Sequence, residues 1–332
     1  MKKNVATVVA MVSVFLLLAL FLKARGNGEP ANPQENVTGL AGIRMAYPSA
    51  GTMISGQVGL TLQKTDILKE NGLDAVITPM STGKEMKTAL TADQVDVILT
   101  SESNFLVLLG SGFECYGVAS LGSDGKMALV VDKNSPIGSV ADLRGGKVAT
   151  LFGTSVHKPA VEWVKDAGLT PGEDVEVVNI GSGSALRSAL ASNSVDAIVD
   201  WDPYLTSGIN GGSYKVLAES DLDLIAVMSK QYADQNPESI ARFRNSLREV
   251  AFYMSQNKGE VAGWYGEMSQ MDPNLTMQVS GRNSNYNAAS IEDVDVSISE
   301  AFTEKLVGIG DFLYTEGLIE NRPDVRANIK QQ

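Results

Sequence analysis

The chain has 332 residues, of which 44% are apolar and 20% charged, a composition typical of a globular protein long enough for two lobes. Its formal net charge of −12 argues against nucleic acid or an anionic membrane surface as a partner. The only cysteine, Cys115, excludes an intramolecular disulfide and is interpreted as a small buried hydrophobe. The chain has a single histidine, His157, which is too few for a histidine-based zinc site. Neither a metal nor another cofactor is expected.

The first 26 residues predict an export signal or an N-terminal membrane anchor. An uncharged, mostly Val, Ala and Leu run at residues 5–22 has lysines and an arginine on its flanks. The run is also long enough to span a bilayer, and Ala24 and Gly26 offer small residues for cleavage, so a cleaved and a tethered form both stay open. No cysteine follows that would anchor a lipoprotein. Residues 27–41 are interpreted as a linker, and we expect a periplasmic or otherwise extracytoplasmic protein.

From residue 42, short apolar runs alternate with helical stretches, which predicts βαβ units and a mainly parallel sheet flanked by helices. Gly72 and Gly168 follow two of these helices at the position that favours a left-handed backbone. The predicted strands are 43–47, 75–78, 96–99, 116–120, 147–151, 175–179 and 195–199. The predicted helices are 54–70, 83–91, 104–109, 156–167, 185–191, 237–256 and 298–318.

The α/β pattern repeats once along the chain. Ala89-Leu90 with Val95-Asp96 recurs as Ala189-Leu190 with Val195-Asp196, in the same phase of helix and strand. Two similar α/β units are expected to place the carboxyl ends of their strands around a shared crevice, where ligands commonly bind. We therefore predict lobe 1 from residues 42–130 and 225–332, lobe 2 from residues 131–224, and a ligand site between them.

Two small-residue loops each lie between a predicted strand and a predicted helix. Because a helix N-terminus presents free N–H groups and a positive dipole end, these loops are candidates for binding a small anion. Plain N-capping by their hydroxyl groups is the alternative, and neither loop is a nucleotide fingerprint. The candidate residues here are Ser49, Gly51, Thr52, Gly153, Thr154 and Ser155.

The loops that follow the two repeat-equivalent strands each carry a carboxylate. Ser101 and Glu102 follow the first strand, and Trp201 and Asp202 follow the second. Carboxylates facing each other across a cleft would suit an ammonium or amide donor, and the indole ring could form a wall. The alternative for Asp202, which precedes a proline, is the N-cap of a helix.

His157 is a candidate for the pocket wall, with a simply packed ring as the alternative. A nucleophile pair with Ser155 is disfavoured, because side chains two positions apart on a helix diverge. The G-x-S-x-G signature of a nucleophile elbow is also absent from the sequence. We therefore expect no catalysis.

Several spaced motifs resemble the solute-binding proteins of sulfonate, taurine and nitrate importers, a family whose fold also serves thiamine-pyrimidine precursor binding. In the second unit they are SPI at 135–137, VADL at 140–143, GGKVA at 145–149, GTSVH at 153–157, VDA at 195–197 and WDP at 201–203. In the first unit they are GL at 72–73, TG at 82–83 and VD at 95–96. The resemblance covers about residues 42–225. A departure is Gln94, where the family usually has glycine.

The resemblance implies a type II periplasmic binding fold, the Venus flytrap, with two α/β lobes that close on ligand. It implies ligand contacts from the loops at 49–52, 100–102, 153–157 and 201–202, and a monomer that delivers its ligand to an ABC permease and ATPase. The expected ligand is a sulfonate or a taurine-like compound, with nitrate or a pyrimidine as alternatives. A membrane-tethered ligand sensor is a further alternative. A thiamine-pyrimidine synthesis enzyme is disfavoured, because such relatives use a cysteine-rich iron motif that this chain lacks.

Overall fold

The computed structural model describes residues 39–330. The predicted export signal or anchor, and the linker up to residue 38, lie outside these residues. Within the described part of the chain, no helix is both long enough and apolar enough to cross a membrane.

A single mixed sheet of eight strands organises residues 41–330, in the spatial order β2-β1-β3-β8-β4-β7-β5-β6. At one end β2, β1 and β3 are parallel, and at the other end β6, β5 and β7 are parallel. The long strands β4 and β8 pair with each other in antiparallel fashion between the two ends. The strands are β1 Ala41–Pro48, β2 Leu73–Met80, β3 Val97–Ser101, β4 Cys115–Asp132, β5 Lys147–Thr150, β6 Glu176–Asn179, β7 Ala197–Trp201 and β8 Tyr214–Ser229.

Helices cover both faces of this sheet. They are α1 Met53–Lys64, α2 Ile67–Glu70, α3 Gly83–Thr91, α4 Glu102–Gly110, α5 His157–Asp166, α6 Gly183–Ala191, α7 Tyr204–Asn210, α8 Lys230–Gln235, α9 Ser239–Gln256, α10 Lys258–Ser269, α11 Pro273–Ser280 and α12 Glu300–Thr315. Alternate strand residues therefore face different cores: Val97 and Leu99 of β3 join one cluster and Ile98 joins another. This double burial explains the nearly continuous apolar runs in the sequence.

The four apolar cores fall at the two ends of the sheet. Two of them lie around β1 to β3 and include residues of α9 and α12, and two lie around β5 to β7. This arrangement is the two-lobed α/β fold that the sequence predicts, with β4 and β8 running through both lobes. The lobe boundaries at 130/131 and 224/225 stay a prediction, because both fall inside or beside these shared strands.

The predicted repeat is present in detail. The helices α3 and α6 begin at equivalent positions, and Thr82 and Ser182 cap them by accepting the backbone N–H three residues later. Asp96 accepts from the Arg44 N–H at 2.7 Å, and Asp196 accepts from the Lys147 N–H at 2.8 Å. The two equivalent aspartates thus link the start of β3 to β1 in the first unit and the start of β7 to β5 in the second.

Two predicted elements are wrong in extent. The predicted helix 54–70 is interrupted after Lys64, and α2 is a separate single turn. The predicted strand 116–120 is only the start of β4, which continues to Asp132. Its pairing with β8 shifts between Gly117 and Lys126, so a turn-like sequence is accommodated inside one irregular strand.

Candidate functional site

The strand-end loops of the two units meet between the lobes. The Ser103 hydroxyl of α4 lies 2.9 Å from the Ser155 hydroxyl, which precedes α5. The Ser101 hydroxyl lies 3.2 Å from Ser103 on the other side. Three hydroxyl groups therefore form one hydrogen-bonded row that crosses from one lobe to the other. The sequence predicts Ser101 and Ser155, and Ser103 was missed.

Glu102 lies beside this row and is completely buried. Neither of its carboxylate oxygens has a hydrogen-bond partner among residues 39–330. Burial raises the pKa of Glu102 to about 7, and the Lys305 ammonium opposes that rise. The Ser155 hydroxyl is near enough to favour the ionised form, without the geometry of a hydrogen bond. A buried carboxyl group without a partner is costly, so it indicates a position where a ligand supplies the missing donor.

The N-terminus of α1, one of the two predicted anion seats, already holds a carboxylate of the protein. Asp124 of β4 accepts from the backbone N–H of Met53 at 3.0 Å and of Ile54 at 2.5 Å. The side chain is fully buried, and burial raises the pKa of Asp124 to about 8, while the two N–H groups oppose the rise. The charges of Asp202 and Glu102 add to it. The structure thus gives two of the free N–H groups of this helix an internal partner.

The predicted residues of the preceding loop lie next to this capped terminus. The Ser49 hydroxyl donates to the Met80 carbonyl at 3.2 Å, and Thr52 accepts from the Ser55 hydroxyl at 2.9 Å. Gly51 has a φ of 89°, which favours glycine, and a side chain added there would meet open space. The loop therefore uses its hydroxyl groups locally, and its open surface is at Gly51.

The loop before α5 has a different arrangement. Thr154 donates to the Leu151 carbonyl at 2.8 Å, while Ser155 points across to lobe 1. Gly153 has a φ of 72° and open space at the position of a side chain. No side chain within the described residues caps the N-terminus of α5. The His157 N–H donates to the Thr154 carbonyl at 3.1 Å and Pro159 has no N–H, so the first turn offers an anion the Lys158 N–H but not those of its two neighbours.

The His157 ring is packed rather than free. It stacks on Phe152 with 4.0 Å between ring centroids, and it makes an edge contact of 5.1 Å with Phe312 of α12. Burial lowers the pKa of His157 to about 4, so the ring is neutral near pH 7. The contact with Phe312 makes His157 a second bridge between the lobes.

Asp202 is fully engaged inside the protein. One carboxylate oxygen accepts from the Thr206 N–H at 3.1 Å, and the other accepts from the Lys126 N–H at 2.8 Å and from the Arg282 guanidinium. Asp202 therefore accepts from the first turn of α7, as the N-cap alternative expects, although the N-cap residue is Pro203 and Asp202 directly precedes it. Trp201 is half-buried against the start of α6, where a side chain at Gly183 would come within 2.9 Å of its ring.

The structure brings together Ser101, Glu102 and Ser155, and it places His157 at the same lobe contact. Ser49, Thr52, Thr154 and Asp202 make internal bonds, as described above. Sequence reasoning missed Ser103, Asp124 and Arg282. Of these, only Ser103 had a usable signal, because it lies two positions after Ser101, at the junction of β3 and α4.

Fold and site together define a protein of the type II periplasmic binding class, with two lobes that meet at their strand-end loops. Residues 63–260 match the model of the family described as NMT1/THI5 like. The chain belongs to this family, which confirms the resemblance seen in the sequence motifs.

Individual relatives agree with this assignment. The chain is 26% identical, over 286 residues, to a putative aliphatic sulfonates-binding protein of Escherichia coli K12, covering 83% of this chain and 86% of that protein. The crystal structure of the periplasmic aliphatic sulphonate binding protein SsuA from Escherichia coli has a TM-score of 0.74 at 20% identity, covering 87% of this chain and 97% of that one. SsuA from Xanthomonas axonopodis pv. citri, bound to MOPS, has a TM-score of 0.70 at 19% identity, covering 88% and 99%.

The same fold is found in a desulfurization enzyme, DSZB, with a TM-score of 0.66 at 14% identity and coverage of 88% and 97%. The fold by itself therefore does not separate binding proteins from enzymes. Whether a protein of this fold binds or catalyses depends on the side chains between its lobes.

Proposed function

We propose that this protein is an extracytoplasmic solute-binding protein that captures a small organic sulfonate between its lobes and delivers it to an ABC permease and ATPase. The observation that carries the proposal is the contact between the two strand-end loops, where a row of hydroxyl groups runs beside the unpartnered carboxyl group of Glu102. The aliphatic sulfonate-binding relatives named above support the same class of ligand.

The ligand is proposed to carry a hydrogen-bond donor as well as an anionic head. The sulfonate oxygens would accept from the hydroxyl groups of Ser103 and Ser155 and from the Lys158 N–H in the first turn of α5. An ammonium group at the other end of the ligand would meet Glu102. This pairing favours a taurine-like aminosulfonate over a plain alkanesulfonate or nitrate, neither of which has a donor for Glu102.

A pyrimidine is the second candidate ligand, because the exocyclic amino group of an aminopyrimidine could also donate to Glu102. Catalysis is not proposed. The His157 ring lies between two phenylalanine rings, and the Ser155 hydroxyl is bonded to Ser103 rather than to His157. These contacts support a binding role, since a nucleophile needs an adjacent base. The tethered sensor depends on residues 5–22, which the structure does not describe.

The test is calorimetric titration of the full-length protein with taurine, ethanesulfonate, nitrate and an aminopyrimidine. Taurine should bind about tenfold or more tightly than ethanesulfonate, which lacks only the amine, because a hydrogen bond to a charged group contributes about 1.5–3 kcal/mol. Ser155→Ala should weaken taurine binding by about 1–3 kcal/mol, whereas Ser188→Ala on the exposed face of α6 should not. Absence of binding by every sulfonate would contradict the proposal, and preference for the pyrimidine would replace the ligand.

A further inference from the structure

A second cavity lies in lobe 1, and none of the predicted cleft residues lines it. Its volume is about 630 Å³, within the range of ordinary small-molecule pockets. One wall is a face of α9, and the other is the extended segment before α12 together with the end of the described chain. The lining residues are Ala241, Arg244, Asn245, Arg248, Val296, Ser297, Ile298 and Lys330.

The two arginines of this cavity differ from the other arginines of the described chain. The other seven arginines of residues 39–330 each form an ion pair with a carboxylate. They are Arg44, Arg144, Arg187, Arg242, Arg282, Arg322 and Arg326. Within residues 39–330, Arg244 and Arg248 have no such partner. In a chain with a formal net charge of −12, two arginines without a carboxylate on one cavity wall require an explanation.

The bonds that these arginines do make leave much of their charge uncompensated. Arg244 donates to the carbonyls of Val118, at 2.6 Å, and Lys330, and Arg248 donates to the carbonyl of Ile291 at 3.2 Å. Carbonyl dipoles offset only part of a full positive charge. Burial also lowers the pKa of the Arg244 guanidinium below its usual value, which shows that its charge is partly desolvated.

The remaining charges near the cavity do not change this balance. The Lys330 ammonium, on the wall opposite the arginines, lies over the Tyr116 ring at 4.0 Å from its centroid and, after Lys230, contributes to lowering the pKa of Asp234; it forms no ion pair within residues 39–330. Asp295 directly precedes the cavity segment, but one of its oxygens accepts from the Ser297 N–H at 2.8 Å. Two arginines and the Lys330 side chain therefore line a cavity whose lining contains no carboxylate.

We propose that this cavity is a second binding site, for a small organic dianion such as a phosphate monoester or a dicarboxylate. Planar guanidinium groups match the paired oxygens of phosphate and carboxylate, and two of them with an ammonium suit a doubly charged head. Ala241, Val296 and Ile298 supply an apolar side for the organic part of the ligand. The site would act on a ligand other than the one held between the lobes.

The experiment is calorimetric titration of the full-length protein at low salt with phenyl phosphate, with succinate, and with ethanesulfonate as a singly charged comparison. We expect one of the two dianions to bind, and Arg248→Gln to weaken that binding about tenfold or more. Arg248 is chosen because it makes a single carbonyl bond, whereas Arg244 also holds β4. Arg322→Gln, on an exposed arginine paired with Asp311, is the matched control and should leave the affinity unchanged.

Backbone amide NMR of the unsubstituted protein locates the site without any variant. Binding of the dianion should shift the amide signals of Asn245 and Ser297, and not those of Gly153 and Ser155. The proposal is overturned if neither dianion binds, if Arg248→Gln binds as tightly as the unsubstituted protein, or if the shifts centre on the cleft. Failure of taurine binding would leave these outcomes unaffected, because they concern a different lining.

Discussion

Glu102 combines complete burial with the absence of any hydrogen-bond partner in the described chain. An unfolded glutamate has a pKa of about 4.3, whereas the pKa in the folded chain is about 7. The folded state thus keeps the proton over a pH range in which the unfolded state has lost it. The free energy of unfolding therefore falls as pH rises through this range, by about 3–4 kcal/mol in total. The elevated pKa of Asp124 acts in the same direction, up to about pH 8.

Glu102→Gln should remove this penalty and also replace the chargeable acceptor for the ligand's ammonium group with a neutral amide. At pH 8 the variant should be more stable than the unsubstituted protein by up to about 3–4 kcal/mol, and near pH 4 the difference should vanish. Urea unfolding at the two pH values measures this, with the exposed Glu316→Gln as control. Taurine affinity should fall at the same time. Equal stability of variant and parent at pH 8 would show that Glu102 is not a buried, unpartnered acid.

At the residue scale, the sequence predicted the side chains whose roles follow from position after a strand. Ser101, Glu102 and Ser155 were found because loops at the carboxyl ends of parallel strands meet. Asp124 was missed, because its capping of α1 connects residues 70 positions apart in the chain. A contact of that kind depends on how the strands are arranged, and no local pattern reports it.

At the N-terminus of α1, two backbone N–H groups have a hydrogen-bond acceptor within the protein. The Asp124 carboxyl group accepts from the first N–H groups of the helix, so this terminus has an internal acceptor even when no ligand is bound. The equivalent end of α5 has no such partner among the described side chains. Two loops that look alike in sequence thus differ in what they offer a ligand.

Asp124→Ala should lower the free energy of unfolding by at least about 2 kcal/mol, because it leaves two buried N–H groups without an acceptor, at about 1–3 kcal/mol each. Added formate should restore part of the loss by occupying the vacated position. Thermal unfolding with and without formate measures this effect. Asp166→Ala, which changes an exposed aspartate at the C-terminus of α5, is the control. A loss that formate does not reduce would show that Asp124 stabilises the chain by other means.

At the element scale, the repeat made α3 and α6 predictable, because each has the same cap and the same strand after it. The middle of β4 was not predictable in this way. Residues 122–125 read Gly-Ser-Asp-Gly, a composition that favours turns, yet the strand continues because β8 supplies a partner along its whole length. Tertiary pairing overrode the local preference there.

In the whole molecule, the lobes touch through Ser103 with Ser155 and through His157 with Phe312. Further contacts join Asn210 to Gln278 at 2.9 Å. These contacts are single hydrogen bonds and one aromatic edge contact, so we expect them to separate when ligand enters or leaves, as in hinge closure of other binding proteins.

Ser103→Cys combined with Ser155→Cys should permit a disulfide across the cleft, because the two hydroxyl oxygens are only 2.9 Å apart. The buried Cys115 should not interfere. The oxidised double variant should neither take up nor release taurine at a measurable rate, while the reduced form should exchange it. Stopped-flow binding with and without reductant measures this. Unchanged exchange in the oxidised form would mean that the ligand does not pass between these loops.

Only β4 and β8 carry the chain from one lobe to the other within the described residues, and they do so as a continuous two-stranded ribbon. The ribbon is irregular at residues 117–126, the stretch that also contains Asp124. Torsion concentrated in this stretch would turn one lobe against the other while the ladder on either side keeps its hydrogen bonds. The same torsion would move the aspartate relative to the first turn of α1, so the geometry of that cap would change with the angle between the lobes.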